Sequence, residues 1–259
     1  MKLCIVLLLL LLPCLSQAKT PVSICYETLD LAPFISADSN DSQPVGILVD
    51  MLKAAAAPLD IKLQFQRLPW LRCQSMVTQN QLNATMAMIW TAKRAEQFRF
   101  PDQQSGTPDS KRYLWLAQYP AFTKTGNTFT LQEYQPRFGI AAPLGYIVEA
   151  KLRSKGWLSP YQLSLQHSQQ QVIAGKLDGY SVERNVGLHH LDQLQLSDKI
   201  TASKDNLLTE KWFLVFNHSF YQQNQQLVEK LWDNLISARQ AQEAIYAQSE
   251  SNALRSKPD

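Results

Sequence analysis

One stretch limits the folds open to this chain more than any other. Residues 84–89 read Ala-Thr-Met-Ala-Met-Ile, with Thr85 as the one polar side chain. A strand without a polar face must be covered on both sides, as happens inside a sheet flanked by helices. Its neighbours in sequence agree. Val22–Tyr26 is a short run of strand formers. Gly46 opens a helical run to Ala57 with Ile47, Met51, Leu52 and Ala55 on one face, and Pro58 stops it. Ile61–Phe65 alternates as a half-buried strand should, and Pro69 stands where proline suits the first turn of a helix reaching about Asn80. This β-α-β-α-β order predicts an α/β lobe with a largely parallel sheet.

The rest of the chain continues in that manner. Ala32-Pro33-Phe34 is a loop, because proline cannot donate to a ladder, and Ser39-Asn40-Asp41-Ser42 is a turn. Lys111–Phe122 is extended and aromatic-rich, with a turn at Lys124-Thr125-Gly126-Asn127. A second series then reads as strand (Arg137–Ala142), helix (Gly145–Lys155), strand (Tyr161–Leu165), short helix (Ser168–Gly175), strand end (Leu177–Tyr180) and helix (Glu183–Leu191). Lys211–Phe216 is a strand, Phe220 to about Gln248 is helical, and Ser251–Asp259 reads as a frayed end. Two α/β series imply two lobes. Ligands lie beyond the carboxyl ends of strands in such sheets, so facing lobes would form a cleft between strand ends.

Met1-Lys2, the apolar run Leu3 to Leu15 and the small residues of Ser16-Gln17-Ala18 have the form of a secretory signal cleaved after Ala18. The run is shorter than the ~20 residues of a spanning helix. Removing 18 of 259 residues leaves 241, enough for one large or two modest domains. The formal charge of +3 falls to +2 without Lys2 and is spread without basic blocks, which excludes a nucleic-acid footprint. Cys4 and Cys14 leave with the signal. An exported chain retaining only Cys25 and Cys73 is expected to join them; a redox thiol, the alternative, would lack a C-x-x-C partner. The bridge would fasten the first strand to the helix after Pro69 and contribute roughly 2–4 kcal/mol.

The apolar strand runs into Trp90-Thr91-Ala92-Lys93-Arg94, and the segment closes with Phe98-Arg99-Phe100-Pro101. Arginine offers a planar fork of donors that fits a carboxylate, and Trp70 and Trp90 offer flat apolar walls. Arg94, Thr91, Trp70 and Trp90 are therefore candidates to hold a small anionic or zwitterionic molecule. Each has a structural alternative: Arg94 as an ion-pair residue, Trp70 in the core, Trp90 between sheet and helix. Glu183 either faces the cleft or is a helix N-terminal acid favoured by the dipole. Tyr26, Glu27 and Phe34 are loop candidates in the first lobe, and Arg72 faces either the cleft or solvent. His189-His190 point about 100° apart on a helix and have no further ligand at coordinating spacing. Neither Gly-x-Ser-x-Gly, His-Glu-x-x-His nor a phosphate-cradling loop is present, so no metal, cofactor or catalytic group is expected.

Across the mature chain the order of these segments resembles the extracellular solute-binding proteins of family 3, the polar-amino-acid-binding type that feeds ABC importers. The resemblance rests on Ala32-Pro33-Phe34, Gly46-Ile47-Leu48-Val49-Asp50, Pro69-Trp70, Thr91-Ala92-Lys93-Arg94 with Phe98-Arg99-Phe100-Pro101, and Gly175-Lys176-Leu177-Asp178-Gly179-Tyr180 leading to Glu183. It implies a two-lobed, type II-like periplasmic binding fold, each lobe a mixed sheet flanked by helices, hinged by two crossing segments. One lobe would comprise residues 19–107 and 208–259, the other 108–207. Arg94 would clamp a ligand carboxylate, Thr91 add a hydroxyl, Trp70 pack on the ligand and Glu183 receive an ammonium group. A periplasmic monomer is implied, serving an ABC permease or a membrane sensor; a dehydratase-like enzyme on the same scaffold is the rival reading. The sequence departs from the family where small polar residues usually precede Thr-x-x-Arg: Met86-Ala87-Met88-Ile89-Trp90 is apolar and bulky. Gly145-Tyr146-Ile147 replaces a Gly followed by Ser or Thr, and Asn83 stands where aspartate is common. These changes remove hydroxyl donors and point to a larger, flatter or more apolar acid.

Overall fold

The computed structural model describes residues 19–37, 43–101, 106–127 and 129–255, with side chains to residue 248. The expected signal at 1–18, the turn at Ser39–Ser42 and the last residues of the chain lie outside the described residues.

Strand β1 (Thr20–Glu27) leads to a two-stranded ladder of β2 (Ser36–Ala37) and β3 (Pro44–Val45). Helix α1 (Ile47–Ala56) follows. Gly46 precedes it at φ 122°, and a Cβ there would sit 2.6 Å from the Phe34 carbonyl oxygen, so only glycine lets the helix start against that loop. β4 (Ile61–Leu68), α2 (Trp70–Thr78) and β5 (Ala84–Ile89) complete the first series. Pro69 is the residue just before α2 rather than its first turn. β1 pairs in parallel with both β4 and β5, and β5 is buried almost throughout, as its lack of a polar face demands. The disulfide Cys25–Cys73 ties β1 to α2 with a Cα–Cα distance of 5.7 Å.

Strand β6 (Trp115–Lys124) opens the second series, followed by β7 (Ile140–Ala141), α4 (Ile147–Ser154), α5 (Leu165–Ile173), β8 (Gly179–Tyr180) and α6 (Arg184–Gln193); a short α3 (Ala92–Ala95) precedes β6. Two sequence expectations are corrected here. The strand at Arg137–Ala142 contracts to two residues, and Tyr161–Leu165 is not a strand. Ser164 instead caps α5, its Oγ accepting the His167 amide at 3.2 Å, so the alternating apolar residues lead into a helix. The Leu-Asp segment holds the start of this half together. Asp178 Oδ2 accepts the amides of Arg137, Phe138 and Gly139 and the Tyr134 hydroxyl, all within 2.9 Å.

Strand β9 (Ile200–Phe216) runs far beyond the expected Lys211–Phe216. Its end pairs with β5, while its length pairs antiparallel with β6, giving one ladder in the order β4-β1-β5-β9-β6-β8-β7. The first half is thus largely parallel through β4-β1-β5, with β9 antiparallel beside β5, and the sheet as a whole is mixed. β9 and β6 are the two crossing segments that join the two halves, with register irregularities around Pro120. Helices α7 (His218–Gln223) and α8 (Gln225–Arg255) return to the first half, where Asn234 Nδ2 donates to the Ala55 carbonyl of α1 at 2.9 Å. Trp232, fully buried, donates its indole N–H to Leu214 O and locks α8 onto β9.

Candidate functional site

Thr91, two residues past the end of β5, caps α3, its Oγ1 accepting the Arg94 amide at 3.1 Å. That cap turns the Arg94 side chain back along the strand it has just left. Nη1 donates to Ile89 O at 2.9 Å, and Nη2 reaches across to Gly145 O at 3.1 Å in the other half of the molecule. The guanidinium carbon lies 5.8 Å from the Trp70 ring centroid. Arg94 is 8% exposed, and among the described residues no carboxylate lies within ion-pair distance of it. Burial pulls its pKa down to about 10, so it stays charged at neutral pH.

Around the guanidinium is a small cavity of about 30 Å³ lined by Tyr26, Glu27, Trp70, Arg94, Tyr119 and Tyr146 among others. That is water-sized room. A backbone irregularity shapes its floor: Ala87 sits at φ 59° where the β5–β9 register shifts, an arrangement that non-glycine residues rarely adopt. Tyr146 and Gly145 close the roof. Trp70 Nε1 donates to Gly145 O at 3.3 Å and packs edge-on against Tyr146. Gly145 has φ 80°, a backbone conformation that favours glycine, while a Cβ on it would meet the movable tip of the exposed Leu71 side chain at 2.5 Å. The Gly145 amide is held by Glu149 Oε2 at 2.7 Å.

Glu27 ends β1 beside this cavity. Oε1 accepts from the Thr28 amide and hydroxyl and the Leu29 amide, while Oε2 is buried and completes no hydrogen bond. Burial raises its pKa, against those bonds and the nearby Trp70 amide. Glu27, Trp70 and Tyr146 also line a second, larger chamber of about 290 Å³ that runs between α2 and the ends of β7 and β8.

The other expected site residues lie elsewhere. Glu183 is the N-cap of α6; its Oε2 accepts the Asn185 and Val186 amides at 2.7 and 3.1 Å. It is 3% exposed, lines neither cavity, and burial raises its pKa to about 7. Trp90 packs on the cluster of Cys25, Cys73, Phe98 and Phe100 and does not line the Arg94 cavity; its Nε1 has no partner among the described residues. Thr91 acts through its cap and not as a lining residue. Phe34 is wholly buried, edge-on to Trp115 and Trp212 at 5.0 and 5.2 Å. Arg72 is on the exposed face of α2. His190 Nε2 pairs with Asp30 O at 3.1 Å. Sequence reasoning missed Tyr119 and Trp212 as lining residues; it marked Gly145-Tyr146-Ile147 as the second-lobe anion loop by resemblance, without showing that the Tyr146 ring would be the roof.

Two α/β halves joined by a pair of crossing strands, with a cleft between strand ends, define the class of two-lobed binding proteins. The chain belongs to the bacterial extracellular solute-binding proteins, family 3, whose model matches residues 24–248. Among solved structures it is similar to a histidine kinase sensor domain with similarity to periplasmic binding proteins (16% identity over 89% of this chain and 96% of that one, TM-score 0.71). It is also similar to the arginine-, lysine-, histidine-binding protein ArtJ from Geobacillus stearothermophilus (14%, 88% and 94%, TM-score 0.69). A third is an ABC uptake transporter substrate-binding protein from Streptococcus pneumoniae with bound histidine (15%, 84% and 86%, TM-score 0.67). No curated protein matches it in sequence.

Proposed function

We propose that this solute-binding protein, exported to the periplasm with its signal removed after Ala18, captures a small amino compound bearing a carboxylate and delivers it to an ABC importer. The observation that carries this reading is the buried Arg94 guanidinium without an acidic partner. A cation desolvated in this way is costly unless it meets an anion. Here two neutral carbonyls stand in, and one of them, Gly145 O, belongs to the opposite half and leaves when the halves separate. A ligand carboxylate entering an opened cleft would take that place with a bidentate fit. Glu27 supplies the complementary charge, since its unbonded Oε2 sits in the same cavity. Trp70 supplies the apolar platform.

The lobes in this reading are residues 19–107 with 208–259, and 108–207, and the β6–β9 ribbon is the hinge between them. Binding is favoured over catalysis by the state of Glu183, the acid with the most raised pKa. Its carboxyl is already occupied by two amides and lines neither cavity.

Calorimetry with a panel of amino acids and organic acids tests the reading. Arg94→Ala is expected to abolish binding with the fold retained, and Arg94→Lys to recover only part of it, because an ammonium lacks the planar fork. Unchanged affinity in Arg94→Ala would remove the site assignment.

A further inference from the structure

The Arg94 cavity cannot hold the bulk of any amino acid, whereas the chamber beside it, at about 290 Å³, can. The two meet at Glu27, Trp70 and Tyr146, which line both. An α-carbon carries a carboxylate, an ammonium group and a side chain on diverging bonds. Three receptors meet around this junction: Arg94 in the small cavity, the Glu27 oxygen without a hydrogen bond, and the chamber.

The chamber's walls say what its occupant is. Leu29, Ala141, Pro143, Leu163 and Val182 are apolar, and Glu27, at the junction, is the one charged residue in the lining. A cationic side chain extending into it would find no carboxylate in the lining besides Glu27, which already faces the ammonium group. An apolar ring fits: a cavity of about 150 Å³ is known to admit benzene. Of the polar residues in the lining, Ser164 Oγ accepts the His167 amide, Ser168 Oγ donates to the Ser164 carbonyl, and the Tyr180 hydroxyl pairs with Gln169. Ser181 is wholly buried, and its Oγ has no hydrogen-bond partner among the described residues. Buried hydroxyls are normally paired, so an unpaired one lining a chamber marks where a ligand atom belongs.

We infer that the ligand is an α-amino acid with an aromatic side chain carrying a polar ring atom, a phenol or an indole, the ring lying in the chamber against Ser181. The inference rests on the reading of Arg94 as the carboxylate clamp.

The test is calorimetry with L-tyrosine, L-tryptophan, L-phenylalanine, L-alanine, L-glutamine and L-arginine on the wild-type protein, on Arg94→Ala and on two chamber variants. Tyrosine or tryptophan is expected to bind at least tenfold more tightly than alanine, glutamine or arginine. Leu163→Trp, which fills the chamber from a half-buried position, is expected to weaken the aromatic ligand at least tenfold, and by a larger factor than it weakens alanine. Ser181→Ala is expected to erase the preference for tyrosine over phenylalanine. Tighter binding of arginine or glutamine overturns the inference, as does tyrosine affinity untouched by both chamber variants. If small or polar amino acids bind in an Arg94-dependent way without any aromatic preference, the chamber assignment fails and the carboxylate clamp stands. If no amino acid binds, both fail.

Discussion

Two buried acids in this protein carry raised pKa values for one reason and have different meanings. Glu27 faces a cavity with one oxygen unbonded. Glu183 is held at a helix start, and desolvation lifts it from 4.5 to about 7 against the pull of the Val186, Asn185 and Gln118 amides and Arg184. The sign of its effect on stability follows. Between pH 4.5 and 7 the unfolded chain has lost this proton while the folded one keeps it, so stability falls as pH rises through that window and levels off above it. Glutamine keeps an oxygen for the α6 amides and cannot ionise. Glu183→Gln is therefore expected to flatten the pH dependence of chemical denaturation between about pH 5 and 7 and to be the more stable form at about pH 8, by on the order of 2 kcal/mol. Parallel pH profiles for the two proteins would show that Glu183 does not titrate in this range. The acid's position before a helix was readable from sequence, as was its alternative role. Which role it takes depends on how deeply Tyr119 and β6 bury it, and no local pattern encodes that.

At the level of elements, what was legible is what is local. β5 had to be an interior strand, and α1 had to begin at Gly46. The failures lie where long-range pairing overrides the local pattern. β9 carries Lys204, Asp205, Glu210 and Lys211 in its middle, so its first half does not look like a strand. It is one because β6 offers it a ladder along nearly the whole length. The bulge at Ala87 has no glycine to announce it. The disulfide is the strongest long-range constraint that could be read in advance. It closes a separation of 48 residues between β1 and α2, worth roughly 4 kcal/mol on the loop-entropy scale. Cys25→Ala with Cys73→Ala, or reduction of the wild type, is expected to lower the melting temperature by about 10 °C, given a few degrees per kcal/mol in a chain of this size. Equal melting curves with and without reductant would mean that the bridge adds nothing to the stability of the lobe.

The whole molecule adds what neither residue nor element contains: the halves touch each other through the site. Gly145 O accepts from both Arg94 and Trp70, His190 reaches Asp30 O, and the Tyr146 ring sits on Trp70. These bonds close the cleft with the protein's own groups; on the reading proposed above, a carboxylate would have to displace Gly145 before it could reach the guanidinium. The competent open form would then be a fraction of the population, and affinity would be reduced by that fraction. Trp70→Phe keeps the ring but loses one of the two bonds to Gly145 O. It is expected to shift the free protein toward the open form. Spin labels at Ser75 on α2 and Tyr161 near the chamber, both exposed and on opposite halves, would read this as a population at longer distance. Ligand should return it to the short distance in both proteins, and the on-rate should be higher for Trp70→Phe. A single unchanging distance, insensitive to the substitution and to ligand, would mean that the two halves form one rigid body and that ligand enters without the hinge.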